Sequence, residues 1–127
     1  MDRLFTSVLT DDVSGTAQFY ETVFGMTRHF DADWFVILTH PQTPGLEFGV
    51  LDLNSTTVPD EARTSFGGAM VTMVVKDCDQ SFTAAKQAGA AVVETPRLMP
   101  YGQRRALVRD PAGTLIDISS PQGEIEG

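Results

Sequence analysis

The sequence predicts an α+β protein built from two tandem βαβββ modules. The first observation is the order of periodicities. A strand, a helix and three further strands can be read through residues 3–53, and the same order returns through residues 68–120. The second is a set of landmarks that recur. Phe5 and Met70, and Asp12 and Asp77, stand 65 positions apart; Gly25 and Gly89 stand 64 apart; Pro41 and Pro111, and Glu47 and Asp117, stand 70 apart. The drift places a net five extra residues of the second pass between its helix and its closing hairpin, at residues 95–102. One helix and four strands bury too little alone, so the two modules are expected to pack as a pair in one domain spanning residues 1–127.

Each element has its own signal. Residues 3–10 carry Leu4, Phe5, Val8 and Leu9 and read as a first strand. Asp11 or Asp12 is a good N-cap for a helix over residues 12–24, where Val13, Ala17, Tyr20 and Phe24 recur at helical spacing and Gly25 supplies the left-handed stop. Residues 27–31 and 34–39 read as short strands, residues 40–45 as a loop, and residues 46–53 as a strand that holds Glu47. Residues 54–67 lack a period, carry turn formers and read as a linker. Residues 68–76 restart the pattern. Asp77 caps a second helix, with Gln80 three positions on as a capping box and Gly89 as its end. Residues 91–94 read as a short strand, residues 95–102 as an irregular loop, and residues 121–127 as a frayed tail.

The most informative stretch is residues 103–120, QRRALVRDPAGTLIDISS. It reads as strand, tight turn, strand, with Asp110-Pro111-Ala112-Gly113 as the turn. By alternation Leu115, Asp117 and Ser119 share one face, and Ile116 and Ile118 share the other. The isoleucine face suits a helix-packed core, so the Asp117 face should meet solvent or a polar cavity.

The chain has 127 residues, 42% hydrophobic and 20% charged, with a formal net charge of −8. That charge argues against nucleic acid, which needs a basic face, and would steer cationic small molecules. A single cysteine, Cys78, excludes an internal disulfide and a cysteine metal cluster. Cys78 sits at a helix start but reads as buried and inert. No apolar run reaches membrane-spanning length, and the first residues lack a signal-peptide core, so a cytoplasmic protein is expected.

The Asp-led stretches DDVSGTAQFYETVFGM and DCDQSFTAAKQAG, with the closing YGQRRALVRDPAGTLIDI, resemble the vicinal oxygen chelate superfamily over residues 3–120. This is the glyoxalase, bleomycin-resistance and extradiol-dioxygenase group. The resemblance implies sheets that curl into an open, U-shaped, eight-stranded barrel-like structure, with helices outside and the ligand inside. It also implies a homodimer, which would cover open sheet edges. The metal-ligand positions of the superfamily fall here on Phe5, Glu47, Met70 and Asp117. Phenylalanine has no donor atom, and a methionine thioether suits copper(I) rather than harder divalent ions. His29 and His40 occupy none of these positions. No metal and no cofactor are therefore expected.

Two readings follow. In one, the protein is metal-free and encloses an aromatic or cationic small molecule, as in the drug-sequestering, antibiotic-resistance branch of the superfamily. Phe5, Trp34, Glu47, Met70, Tyr101, Arg104 and Asp117 are then the candidate ligand-binding residues. Phe5 and Met70 would make the cavity centre apolar. Trp34 or Phe35 would give a flat ring, unless Trp34 is simply core. Tyr101 would sit on a lip formed by residues 99–102, unless it is an exposed turn residue. In the other, the protein is a lyase, isomerase or dioxygenase using a divalent ion, or Glu47 and Asp117 as an acid and base pair whose mutual repulsion raises one pKa. Alternatively each carboxylate pairs with an arginine such as Arg104 or Arg105 and closes the end of the cavity.

Overall fold

A computed structural model of the protein describes residues 1–63 and 69–121; residues 64–68 and 122–127 lie outside the described residues. The chain divides into two compact units, Met1–Phe66 and Gly67–Gly127.

The first unit runs β1 (Thr6–Thr10), α1 (Val13–Phe24), β2 (Thr27–Asp31), β3 (Phe35–His40) and β4 (Thr43–Asp52). Its sheet has the order β1-β4-β3-β2. β1 and β4 run parallel, while the neighbours β4–β3 and β3–β2 are antiparallel. Asp12 caps α1 by accepting from the Gly15 N–H at 3.0 Å, and Gly25 ends it with φ 71°. Val13, Ala17 and Tyr20 pack from α1 onto Val8, Val36, Leu38, Phe48 and Val50 of the sheet. Tyr20 is fully buried, with its ring edge-on to Phe48 at 4.9 Å.

The second unit repeats the order with β5 (Val71–Val74), α3 (Cys78–Gln87), β6 (Ala91–Leu98), β7 (Gln103–Arg109) and β8 (Leu115–Pro121). Its sheet order is β5-β8-β7-β6, again with the first and last strands parallel. Cys78, Phe82 and Ala85 of α3 cover Ala106, Val108, Ile116 and Ile118, all four fully buried. The isoleucine face of β8 is thus the helix side, as its alternation predicts. Asp77 caps α3, accepting from the Gln80 N–H at 3.1 Å. The closing turn is held by Asp110, whose Oδ1 accepts from the N–H groups of Ala112 and Thr114 at 2.9 and 2.8 Å.

Several element boundaries differ from the sequence reading. β1 begins at Thr6 rather than residue 3, and β5 keeps only Val71–Val74 of the expected residues 68–76, so Phe5 and Met70 each stand just before their strand. β4 begins at Thr43, inside the expected loop, because His40 pairs with Thr43 across a tight turn. β6 extends to Leu98, through most of the expected residue 95–102 loop. It does so with register shifts between Val92 and Glu94 and between Glu94 and Arg97, which absorb the extra residues and break the period a reader would look for. The expected linker carries a one-turn helix, α2 (Asp60–Arg63), whose Arg63 guanidinium donates to the carbonyls of Leu53 and Ser55 at 2.9 Å each. Residues 64–67 of that linker and residue 68, the expected start of the next strand, lie outside the described residues, as does the tail beyond Pro121. Among the described residues no helix is long and apolar enough to cross a membrane.

Because Ile118 is fully enclosed under α3, Ile118→Ala is expected to cost about 2–5 kcal/mol. Loss of the helix cap in Asp77→Ala is expected to cost about 1 kcal/mol. Urea unfolding of the two variants should show that order.

Candidate functional site

Each sheet has one face under its helix and one face turned away. On the first unit that second face is rich in aromatic rings. Phe35 sits on it opposite Leu51, and Ile37 sits on it between Phe30 and Gly49. Phe35 is the hub. Its ring centroid lies 5.4 Å from that of Trp34 at an interplanar angle of 30°, 5.9 Å from Phe30 and 6.3 Å from Phe5. Trp34 and Phe30 keep 43% and 45% of their surface exposed, so neither is a core residue. Gly49 makes room for this arrangement. A Cβ there would fall 2.3 Å from the Ser7 hydroxyl oxygen and 3.1 Å from the Phe35 ring. A bare backbone lets the ring lie down on β4.

Glu47 lies at one end of this shelf. Parallel pairing of Thr6 with Phe48 sets Phe5, one residue earlier, beside Glu47. Arg3 reaches over both. Its Nε donates to Glu47 Oε2 at 2.7 Å, its Nη2 donates to Oε1, and its Cζ stands 4.8 Å from the Phe5 ring centroid. The guanidinium holds the Glu47 carboxyl below the usual carboxylate range, with a smaller contribution from His29. An upward shift, as an acid and base pair of carboxylates would show, is therefore not found at Glu47, because Arg3 supplies the opposite charge first. Glu47 also lines a cleft of about 300 Å³ with His29, Thr39, Gly45 and Leu46. A smaller cleft of about 150 Å³ beside Val13, Arg28 and Asp31 holds none of the expected residues.

On the second unit the corresponding face is mixed, with Leu107 and Leu115 beside Asp117, Ser119 and Arg105. Asp117 is 7% exposed, so it does not face open solvent; the Ser119 hydroxyl donates to its Oδ1 at 2.6 Å. Thr72 sits opposite it on β5. Arg105 shares this face through its pairing with Ser119 and donates from Nη2 to Glu94 Oε1 at 3.0 Å. Arg105 and Arg97 together hold Glu94 low. Among the described residues Arg105 Nε is a buried side-chain nitrogen with no partner. Arg104 points to the other face, with Ala106 and Val108. It donates from Nε to Asp79 Oδ2 of α3 at 2.7 Å and holds that carboxyl low. Strand alternation separates it from Asp117. Met70 and Tyr101 are 52% and 60% exposed, Tyr101 in the turn closed by the Gly102 N–H to the Met99 carbonyl at 2.9 Å.

The registers also correct the equivalence drawn between the two carboxylates. Leu38 pairs with Phe48, and Val108 pairs with Ile116. The offset is thus 70 from β3 to β7 but 68 from β4 to β8, because the first hairpin is two residues longer. Asp117 corresponds to Gly49, and Glu47 corresponds to Leu115. Glu47 and Asp117 belong to different units and to different positions of the repeat.

The donor set does not fit a nitrogen-rich divalent site. Phe5 offers no donor, Met70 only a thioether, and Glu47 has both oxygens on Arg3. Among the described residues no three His, Cys, Asp or Glu side chains come together as metal ligands would. His40 is used structurally: its Nδ1 accepts from the Gln42 N–H and its Nε2 bonds the Phe24 carbonyl at the end of α1, both at 3.1 Å. Cys78 is buried, donates from Sγ to the Ile118 carbonyl at 3.3 Å, and has its thiol pushed up by burial. Sequence reasoning missed Arg3 and His29. The i, i+2 spacing of Arg3 and Phe5 puts them on one face, but only the pairing of β1 with β4 shows that Glu47 meets them.

Arg3→Ala is expected to raise the Glu47 pKa toward its ordinary value, read by ¹³C NMR of the side-chain carboxyl across a pH titration. The pair's contribution to stability is present above the unfolded carboxylate pKa and is lost as pH falls through the lower folded value. The difference in Tm between wild type and Arg3→Ala should accordingly shrink in acid.

Comparison with known proteins bears on these features. The family model of the glyoxalase/bleomycin resistance protein/dioxygenase superfamily matches residues 4–118. No curated protein matches the chain significantly. Among solved structures, a glyoxalase/bleomycin resistance protein/dioxygenase family enzyme from Burkholderia phytofirmans PsJN aligns with a TM-score of 0.80 at 19% identity, covering 93% of this chain and 97% of that one. Protein ATC0852 from Agrobacterium tumefaciens aligns at 0.76 with 23% identity, covering 97% and 99%. A lactoylglutathione lyase from Agrobacterium tumefaciens aligns at 0.66 with 19% identity, covering 92% and 91%. At these identities the structural likeness establishes the fold alone. With the family model covering nearly the whole of a chain that folds as two βαβββ modules, the protein belongs to the glyoxalase/bleomycin resistance protein/dioxygenase superfamily.

Proposed function

We propose that the protein binds an aromatic or cationic small molecule without the aid of a metal ion. The carrying observation is the shelf of Phe5, Phe35, Trp34 and Phe30, whose outer rings are half-exposed on the face away from α1. A planar ligand stacked on Trp34 and Phe35 gains apolar burial and offset ring contact. The net charge of −8 favours the approach of cations. An enzyme built on Glu47 and Asp117 would want one carboxyl that keeps its proton near neutral pH. Arg3 moves Glu47 the other way, so the binding reading is favoured over the catalytic one.

Trp34 is the chain's single tryptophan, so its indole N–H gives one unambiguous NMR signal. Titration with 2-naphthamide, a neutral planar probe, is expected to shift that signal saturably. Phe35→Ala should weaken the interaction about tenfold, the loss of roughly 1.4 kcal/mol of ring contact. Added Zn²⁺, Ni²⁺ or Mn²⁺ should change neither Tm nor probe affinity. No saturable shift, or binding that requires one of these ions, would reject the proposal.

A further inference from the structure

Arg3 is held as a ligand would be held. Its guanidinium lies over the face of Phe5, with Cζ 4.8 Å from the centroid, while two of its nitrogens fork onto the two oxygens of Glu47. A ring face below and a carboxylate at the edge together recognise a flat, delocalised cation, and an ammonium matches them less well. We propose that Phe5 and Glu47 form a receptor for a guanidinium or amidinium group, and that Arg3 fills it from within the chain until a ligand displaces it. This inference rests on the ring-shelf reading above and names the chemical group that the ligand carries.

The receptor and its occupant are unequally fixed. Glu47 stands on β4 with a side chain only 15% exposed, and Phe5, though like Arg3 it precedes β1, is partly buried with its ring 6.3 Å from that of Phe35. Arg3 precedes β1, outside the sheet ladder, with a side chain 55% exposed. An ion pair so exposed favours its closed form by only a small factor, roughly two- to fivefold. A competing cation that also stacks on the shelf has more to gain than Arg3 does. Phe5 is one edge of that shelf, 6.3 Å from Phe35 between centroids, so an aromatic ring seated on Phe35 can carry an amidinium substituent to Phe5 and Glu47. The cleft of about 300 Å³ on the Glu47 side, lined by His29 and Thr39, gives the displaced or incoming group room. The other arginine pairs differ. Neither Arg104, forked onto Asp79, nor Arg105, which gives Glu94 a single bond, has a ring beneath it among the described residues.

The test compares 2-naphthamidine with its neutral isostere 2-naphthamide by calorimetry and by the Trp34 indole signal, in wild type, Arg3→Ala, Arg3→Gln and Glu47→Gln. Wild type should prefer the amidine. Both Arg3 variants should bind the amidine roughly three- to sixfold more tightly, because the self-occupied fraction no longer reduces the apparent affinity. Glu47→Gln should reduce the amidine to the level of the amide, and the amide should be indifferent to all three changes. In wild type the Arg3 Nε–H signal should move as the amidine binds and stay still with the amide. Equal affinities for the two probes in every variant would overturn the cation receptor and leave the shelf standing. Failure of both probes to bind even Arg3→Ala would overturn the shelf and the receptor together. Circular dichroism and Tm of each variant separate a lost site from a lost fold.

Discussion

The parallel pairing of the first and last strands in each module is the constraint on which the rest depends. Thr6 lies opposite Phe48, and Val71 lies opposite Ile116, so residues more than forty positions apart in sequence share a pleat. No local preference could create that contact. It forms because the intervening helix needs an apolar floor, and because the antiparallel run of three strands that follows the helix brings its last strand back beside the first. Once it is made, every side chain of β1 and β4 is assigned to a face. Val8, Phe48 and Val50 go under α1, and Phe5, Glu47 and Gly49 go to the face where ligands could be met.

The two modules use the same frame for different chemistry. On the first unit the absent side chain of Gly49 lets Phe35 lie against β4, and rings gather on it. On the second unit the position corresponding to Gly49 is Asp117, a carboxylate mostly removed from water. Burying such a group is costly unless it is hydrogen-bonded, and Ser119 meets that need from two residues along the same strand face. The helix sides of the two units, by contrast, are both filled with apolar residues. The two helix sides meet the same packing requirement, while the opposite faces carry different side chains.

The acidic composition is managed by pairing. Glu47 with Arg3, Asp79 with Arg104, Glu94 with Arg105 and Glu21 with Arg28 put much of the cationic charge directly on carboxylates. Arg3, Arg104 and Arg105 lower the carboxylates they meet rather than raising them, which is poor preparation for proton transfer and good preparation for holding a cation. The Arg3–Glu47 pair differs from the rest in lying on a ring as well. That added contact gives this surface ion pair the geometry of a bound cation on a ring and a carboxylate.

By itself the sequence determined the two βαβββ modules, both Asp-capped helices, the Asp110 turn and the face alternation of β8, because these follow from periodicity, capping and turn chemistry within a few residues. It also determined that Phe5 and Met70 could not serve as hard-metal ligands, since that is a property of the side chains alone. It misjudged the length of β6, whose bulges erase the period, and it matched Glu47 to Asp117 because a two-residue difference in hairpin length is invisible without pairing. Tertiary structure alone decided that Arg104 turns to α3 while Arg105 turns away, that Arg3 rather than a second carboxylate meets Glu47, and that His29 lines the same cleft. Those are contacts between distant segments, and strand register, which depends on how a whole sheet packs, is what sets them.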